Sequence, residues 1–421
     1  MSKEMTRRRF LQAAGLLMTT GAGAALAGEY RLTKPVLLNS CRSGLPEKLR
    51  NSPWITQVWQ GLDPAEVWDC HTHLAGIGDT NSGIVLSAQF SSPLSPTFYA
   101  RRMFYMNAAC ASRKTGKSGK PIGAVDENYV LRLLDLVAEM PAGVKLMLLA
   151  FDYFHDDAGH PQANMGAFYV PNDYASRLAT AYPNAFEWVA SIHPYRADAV
   201  DQLEAAAAQG ARAVKWLPAA QNIDPASKRC DAFFAALARL KLPLITHCGE
   251  EKAMNADAMR FGNPLRLRRA LEAGARVVVA HCATMGEDED FDARNKARPS
   301  FVLFARLMDE PAWQDNLRGD ISAIVLRNRK PDVIKMLLER KEWHGRLVNG
   351  SDYPLPGIVP LISPGALAGA GLLPKSAVAD LELLREYNPL YFDLALKRTL
   401  SWQGNSFPAQ VFATRAFFKN A

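Results

Sequence analysis

Eight short apolar runs recur along the chain, and stretches with helical spacing lie between most of them. The runs are EVWDCHTHL, VKLMLLAFD, FEWVASIHP, ARAVKWLP, LPLITHCGE, RVVVAHCAT, NLRGDISAI and RLVNGSDYP. Helical spacing occupies segments such as 199–209, 231–240 and 264–273. Strands that alternate with helices predict a parallel sheet, and eight such units predict an α/β fold in the form of a closed (β/α)8 TIM barrel.

An open, doubly wound sheet is the alternative to the barrel. Such a sheet is typically accompanied by a glycine-rich phosphate turn after the first strand. The segment EVWDCHTHLAGIG lacks the G-x-G-x-x-G order. The sequence therefore favours the barrel.

Four segments describe the expected domain organisation. Residues 1–27 form a signal peptide, 28–65 an N-terminal lead-in, 66–364 the barrel and 365–421 a C-terminal helical extension. The connection over 75–128 is too long for a simple loop and follows the first strand, where barrels carry insertions at the catalytic face. We expect a partly helical lid or an interaction element there.

The N-terminus has the features of an export signal. Basic residues precede a mildly apolar stretch that ends in Ala25-Leu26-Ala27, a small-x-small pattern that predicts cleavage after Ala27. The segment TRRRFLQ at 6–12 resembles a twin-arginine signal, which predicts contact with the twin-arginine export machinery and a periplasmic location. An ordinary secretory signal or an uncleaved anchor is the alternative. No other segment is a candidate for a membrane span.

Charge and cysteine content exclude some functional classes. The formal net charge of +7 is partly carried by the signal and is otherwise modest and dispersed, which argues against nucleic acid as a partner. The six cysteines lack the dense spacing of a disulfide-stapled scaffold. For Cys248 and Cys282 we expect buried free thiols rather than a disulfide.

Half of the eight histidines fall at the carboxyl ends of predicted strands. His71 and His73 end strand 1, His247 ends strand 5 and His281 ends strand 6. These ends converge on one bowl in a (β/α)8 barrel. Glu250 and Glu251 follow His247 closely. We expect these acidic residues to begin a helix, and contact with a metal is the alternative.

Strand alternation predicts which side chains point into the bowl. His71 and His73 are two residues apart and share a face, which directs Cys70 and Thr72 toward the helix layer.

The same parity directs two further charged groups into the bowl. Lys215 ends strand 4, and Asp352 ends strand 8. Neutral imidazoles combined with a carboxylate suit zinc or a similar divalent ion.

The ordered set of H-x-H on strand 1, lysine on strand 4, histidines on strands 5 and 6 and G-S-D-Y-P on strand 8 resembles the amidohydrolase superfamily. It is most similar to the amidohydrolase-related (amidohydrolase 2) branch, which includes aminocarboxymuconate-semialdehyde decarboxylase-like enzymes. The resemblance spans Val67 to Pro356.

The resemblance implies roles for six residues. His71, His73, His247 and Asp352 match the metal positions of the family, and Asp352 also accepts a proton from the attacking water. It implies that His281 is either a ligand of a second metal or the acid–base group of one-metal members. Lys215 is either carboxylated and bridging two ions or a binding residue for an anionic substrate. One or two divalent ions per chain follow from these alternatives, which the sequence leaves open. The six residues are His71, His73, Lys215, His247, His281 and Asp352.

The resulting functional hypothesis is an exported, metal-dependent hydrolase. A metal-activated water would attack an amide, ester or lactone carbonyl of a small-molecule substrate. A nonoxidative decarboxylase of the same branch is the first alternative, and a non-catalytic periplasmic metal- or ligand-binding protein is the second. The sequence specifies neither the substrate nor the oligomeric state, so a homo-oligomer remains open.

Overall fold

The computed structural model describes residues 38–92, 94–111, 114–115, 121–166, 168–251 and 258–419. The expected signal peptide at 1–27 and the first part of the lead-in lie outside these ranges. Within the described ranges, no helix combines the length and apolar character that a membrane crossing requires.

All eight apolar runs contain a β-strand. The strands are β1 Trp68–His73, β2 Lys145–Leu149, β3 Phe186–Val189, β4 Val214–Trp216, β5 Leu244–His247, β6 Val277–Ala280, β7 Leu317–Asp320 and β8 Leu347–Val348. Their short buried segments are rich in Val, Leu and Ile, as is typical of parallel strands covered on both faces.

The eight strands are parallel and form two sheets. One sheet has the order β1-β2-β3 and the other β4-β5-β6-β7-β8. Parallel bridges join the two sheets at Ala190–Val214 and at Thr72–Tyr353. Each strand therefore neighbours the next in the chain, and β8 lies beside β1. The α/β architecture with parallel sheets is confirmed.

Helices separate most of the strands. The main ones are α1 Pro96–Ala108, α2 Val125–Ala138, α3 Asn172–Ala181, α4 Ala199–Ala208, α5 Asp231–Leu240, α6 Arg268–Glu272, α7 Ser300–Asp309, α8 Pro331–Glu339, α9 Val378–Tyr387 and α10 Pro389–Thr399. Further short helices are Glu47–Arg50, Pro53–Thr56, Ala88–Ser91, Pro218–Gln221, Pro364–Gly369 and Arg415–Lys419. Helix α1 lies within the long connection after β1, and α2 begins at its end.

Apolar side chains form two clusters on the two faces of the strands. The larger cluster lies between the strands and the helices, whereas the inner cluster joins side chains from six of the eight strands with Ala213, which directly precedes β4. Phe418 near the C-terminus belongs to the inner cluster, beside Trp68 at the start of β1. The C-terminal segment therefore packs at the end of β1 that is opposite its carboxyl end.

The predicted orientation of Cys70 is wrong. Its side chain belongs to the inner cluster and does not face the helix layer. The pairing of β1 with β2 explains this. Asp69 pairs with Leu146 and Thr72 pairs with Leu148, so β1 advances by three residues while β2 advances by two. A β-bulge of this kind changes the alternation of side chains along the strand. All three side chains therefore point inward: those of Trp68 and Cys70 before the bulge and that of His71 after it.

A disulfide that the spacing of the cysteines does not predict joins Cys41 to Cys110. It links the lead-in to the segment directly after α1. Cys248 and Cys282 are buried free thiols, as expected.

Candidate metal centre

Two histidines of β1 meet a carboxylate of the segment after β8. His73 Nε2 lies 3.1 Å from Asp352 Oδ1, and His71 Nε2 lies 3.6 Å from the same oxygen. The ligand atoms of His71, His73 and Asp352 lie within 4.8 Å of one another. His281 Nε2 lies 3.8 Å from the other oxygen, Asp352 Oδ2.

Hydrogen bonds to the Nδ1 atoms orient two of these imidazoles. His71 Nδ1 donates to Asp320 Oδ2 at 2.7 Å. His281 Nδ1 lies 2.8 Å from Ser322 Oγ and 3.2 Å from the Ser322 carbonyl oxygen, which can only accept. Both rings therefore carry their proton on Nδ1 and turn the Nε2 lone pair toward Asp352, as metal-binding histidines do.

Hydrogen bonds to the Asp69 side chain hold β1 and the segment after β8 together at this point. Asp69 Oδ1 accepts from the N–H groups of His71 at 3.1 Å and Ser351 at 2.8 Å. A Cβ atom on Gly350 would lie 2.9 Å from the backbone nitrogen of His71 and still closer to its Cβ atom. The glycine of the G-S-D segment is therefore required for the close approach of β8 to the first histidine.

Lys215 lies inside the same group. Its side chain is buried, and Nζ lies 3.1 Å from His71 Nε2. Burial lowers the pKa of Lys215, although Asp352 and Asp320 act in the opposite direction. Burial thus favours the neutral amine, which is the form that carbamate formation requires.

The fourth predicted histidine, His247, lies slightly apart from the other three. His247 Nε2 contacts Glu251 Oε2 at 3.3 Å, and its ring centroid lies 5.3 Å from that of His281. Glu251 thus contacts a predicted metal-binding atom. Residues 252–257, where the expected helix would continue, lie outside the described ranges.

The protonation states suit a divalent cation. Burial lowers the pKa of His71, His247 and His281, that of His281 to about 3, so these imidazoles are neutral and able to bind metal. Burial alone would raise the pKa of Asp352, but the imidazoles of His281, His73 and His71 hold it below its usual range. Neutral imidazoles facing an ionised carboxylate are a donor set that fits zinc or a related ion.

Sequence reasoning missed Asp320 and Ser322. Asp320 ends β7 and is fully buried. Burial raises its pKa, but the hydrogen bonds and charges of His71, His281 and Ser322 together lower it to about 2. Ser322 donates from Oγ to Asp320 Oδ2 at 2.5 Å. The only signal in NLRGDISAI was an acidic residue at a strand end, which is the position that Asp352 occupies after β8.

Two tyrosines of the helices that follow β1 interact with the site. Tyr129 on α2 donates from its hydroxyl to the His73 carbonyl oxygen at 2.6 Å. Tyr105 on α1 is near enough that, besides burial, the charges of Asp352 and Glu251 raise its pKa. Helix α2 therefore contacts the carboxyl end of β1.

His193, at the end of the third apolar run, forms hydrogen bonds with residues of neighbouring loops. Its Nε2 donates to the Gln221 carbonyl oxygen at 2.8 Å, and its backbone N–H donates to Asp152 Oδ2 at 2.9 Å. Among the described residues, neither His193 nor Asp152 belongs to a potential metal-binding group.

Comparisons with known proteins identify the family of this chain. The amidohydrolase family model matches residues 68–357, which is most of the chain. A search of curated protein sequences found no significant match.

Several solved structures are similar to this chain at low identity. A TIM-barrel protein from Bordetella bronchiseptica is 15% identical, with 76% of this chain and 99% of that chain covered and a TM-score of 0.44. The 5-carboxyvanillate decarboxylase of Sphingomonas paucimobilis is 12% identical, with 65% and 78% covered and a TM-score of 0.39. The IDCase of Metarhizium anisopliae is 11% identical, with 86% and 98% covered and a TM-score of 0.45. The family-model match rests on the segment that carries the strand-end histidines and Asp352, and this chain belongs to the amidohydrolase family.

Proposed function

We propose that this protein is a metal-dependent hydrolase that uses water to cleave an amide, ester or lactone of a small molecule. The observation that carries the proposal is the group formed by His71, His73 and Asp352, with His281 beside it. His71, His73, His247 and Asp352 would hold the ion. A divalent ion bound there lowers the pKa of a water molecule and polarises a substrate carbonyl.

The chain's own residues would move the protons. Asp352 is ionised and can accept the proton of the attacking water at Oδ2, the oxygen that faces His281. His281 keeps its Nδ1 proton on Ser322, so its Nε2 atom is free to accept a proton and pass it to the leaving group. Lys215 is close enough to His71 to carry a bridging carbamate or to bind an anionic group.

A nonoxidative decarboxylase is the second candidate. The observation that favours it is the position of Lys215, whose buried Nζ lies 3.1 Å from His71 Nε2. In its charged form, which Asp352 and Asp320 favour against the effect of burial on its pKa, Lys215 would bind the carboxylate of a substrate. His281 Nε2 would then pass a proton from water to the carbon that loses carbon dioxide.

We also propose that the eight strands form one closed (β/α)8 barrel and that the protein is exported through the twin-arginine pathway to the periplasm. The bridges at Ala190–Val214 and Thr72–Tyr353 support the closed barrel. The disulfide between Cys41 and Cys110 supports an oxidising compartment.

Elemental analysis of protein purified without chelators tests the proposal first. Two ions per chain would support a carboxylated Lys215, and one ion would support the centre with His281 as the acid–base group. No bound ion, even after addition of zinc or manganese, would overturn the proposal.

The reaction itself is tested by supplying the loaded protein with lactones, esters, amides and aromatic carboxylic acids. Carbon dioxide release without hydrolysis would establish the decarboxylase instead. Asp352→Asn should abolish any hydrolysis found, while the exposed Asp315→Asn should not. Hydrolysis that survives Asp352→Asn would contradict the proton-accepting role.

A further inference from the structure

Lys397 is a lysine of α10 that the proposed reaction does not use. Its side chain is fully buried. Nζ donates to Asp393 Oδ2 at 2.6 Å, to the Gly350 carbonyl oxygen at 2.7 Å and to Asn349 Oδ1 at 3.4 Å. An ammonium group has three hydrogen atoms to donate, so these acceptors use all of them and leave none for a ligand.

Helix α10 is rigidly held in the protein. Its residues 389–397 are all buried. Its N-cap residue, Asn388, donates from Nδ2 to the Leu136 carbonyl oxygen of α2 at 2.8 Å. The helix also packs against α9 and against the segment Leu355–Gly357, which follows β8 and the G-S-D segment. Lys397 therefore extends toward the G-S-D segment from a fixed support.

The G-S-D segment at 350–352 lies between β1 and α10, and each of them binds it. On the side of β1, the Asp352 N–H group donates to the His71 carbonyl oxygen at 2.8 Å. On the side of α10, Lys397 donates to the Gly350 carbonyl oxygen. Because Gly350 is two residues before Asp352, the second bond fixes the backbone from which the Asp352 carboxylate extends toward the histidines.

The cation next to Lys397 in the sequence has a different environment. Arg398 donates to the carbonyl oxygens of Val58, Gln60 and Phe407. These acceptors belong to the lead-in and to the C-terminal extension, and none of them is at the metal centre. Of the two neighbouring cations, Lys397 is therefore the one that connects α10 with the centre.

We propose that Lys397 is a positioning residue of the metal centre, which holds Asp352 in place for metal binding through the Gly350 carbonyl oxygen. The inference rests on the proposed function, because it concerns the same metal centre. It also gives the C-terminal extension a role, since α10 lies outside residues 68–357, the segment that matches the family model. The support of Asp352 thus comes from a part of the chain beyond that segment.

The test must separate metal binding from folding. Lys397→Met alone leaves the Asp393 carboxylate buried and without its cation, a change that destabilises proteins strongly. The double variant Lys397→Met, Asp393→Leu replaces both charges by apolar side chains, and such an exchange often preserves stability. It still lacks the donor to the Gly350 carbonyl oxygen, so it tests the positioning role in a folded protein.

The assay is a zinc titration of the full mature chain in competition with a chromophoric chelator. We expect the double variant to bind zinc about tenfold or more weakly than the wild type, as the loss of an indirect support of a metal ligand predicts. The visible absorption spectrum of the cobalt-loaded protein depends on the ligands and their geometry, and it should also change. Loss of a purely structural contact would lower the melting temperature and leave both of these measurements unchanged.

Two control variants complete the experiment. Arg398→Met removes the neighbouring cation and should lower the melting temperature, while zinc affinity and the cobalt spectrum stay as in the wild type. Asp393→Asn keeps an acceptor for Lys397 as well as the bond from Lys397 to Gly350, and it should bind zinc as the wild type does.

Two results would overturn the role of Lys397 alone. One is a folded double variant whose zinc affinity stays within twofold of the wild type. The other is an equal loss of zinc affinity in Arg398→Met, because the loss would then follow from general destabilisation. A wild type that binds neither zinc nor cobalt would instead overturn the proposed function, and the positioning role with it.

Discussion

Replacing Asp320 by alanine tests whether the buried hydrogen bonds behind the metal centre orient its first histidine. Asp320 is fully buried and accepts from His71 Nδ1 at 2.7 Å. It also accepts from the backbone N–H group of Ser322 at 2.7 Å and from the Ser322 hydroxyl. Alanine would remove the acceptor that fixes the tautomer and the ring orientation of His71.

The expected loss follows from the contacts that remain. Removing such a partner of a metal-binding histidine weakens metal binding roughly 10- to 100-fold, or about 1.4–2.8 kcal/mol. In the variant, Ser322 Oγ would still lie 3.2 Å from His71 Nδ1, so a weaker acceptor persists. We therefore expect a measurable loss of zinc affinity rather than complete loss of the site.

The assay is a zinc titration in competition with a chromophoric chelator at neutral pH, with folding checked by circular dichroism. Asp315→Asn is the matched control, because Asp315 is exposed and precedes the same strand. A folded Asp320→Ala protein whose zinc affinity stays within twofold of the wild type would refute the reasoning. It would mean that His71 does not depend on Asp320 for its orientation.

Three further predictions concern packing, pH and the disulfide. Gly350→Ala should lower both zinc content and melting temperature because its Cβ atom would collide with β1, whereas Gly345→Ala, with nothing within 4 Å, should do neither. Burial lowers the pKa of His193 from 6.5 to about 3, so the unfolded state takes up a proton first as the pH falls. Stability contributed by neutral His193 should therefore be complete above pH 6.5 and be lost progressively toward pH 3, and His193→Gln should flatten this part of the urea-unfolding profile. Reducing the disulfide between Cys41 and Cys110 should lower the free energy of unfolding by about 2–4 kcal/mol, while the double serine variant should not respond to reductant.

The sequence predicted the strands and the residues at their ends because both depend on local patterns. Each apolar run is short and bounded, and the order of strands places His71, His247, His281 and Asp352 at neighbouring carboxyl ends. Lys215 reaches the same group because β4 has the simple alternation that the argument assumed.

Other parts of the site depend on contacts between distant segments. Asp320 is a single acid in an apolar run, and only its 2.7 Å contact with His71 distinguishes it from a solvated strand end. The cysteines of the disulfide are 69 residues apart with no regular spacing that would pair them.

The irregular pairing of β1 has a consequence for protein engineering. In an ideal strand, residues on one face are two apart, so Cys70 and His71 could not both point inward. The extra residue between Asp69 and Thr72 allows the first residues of the strand to pack in the core and the last residues to reach the site. A redesign that deleted this residue to obtain a regular strand would gain an ideal backbone but rotate the paired histidines of β1 out of the centre. An idealised template of this fold would therefore be a stable scaffold without the chemistry.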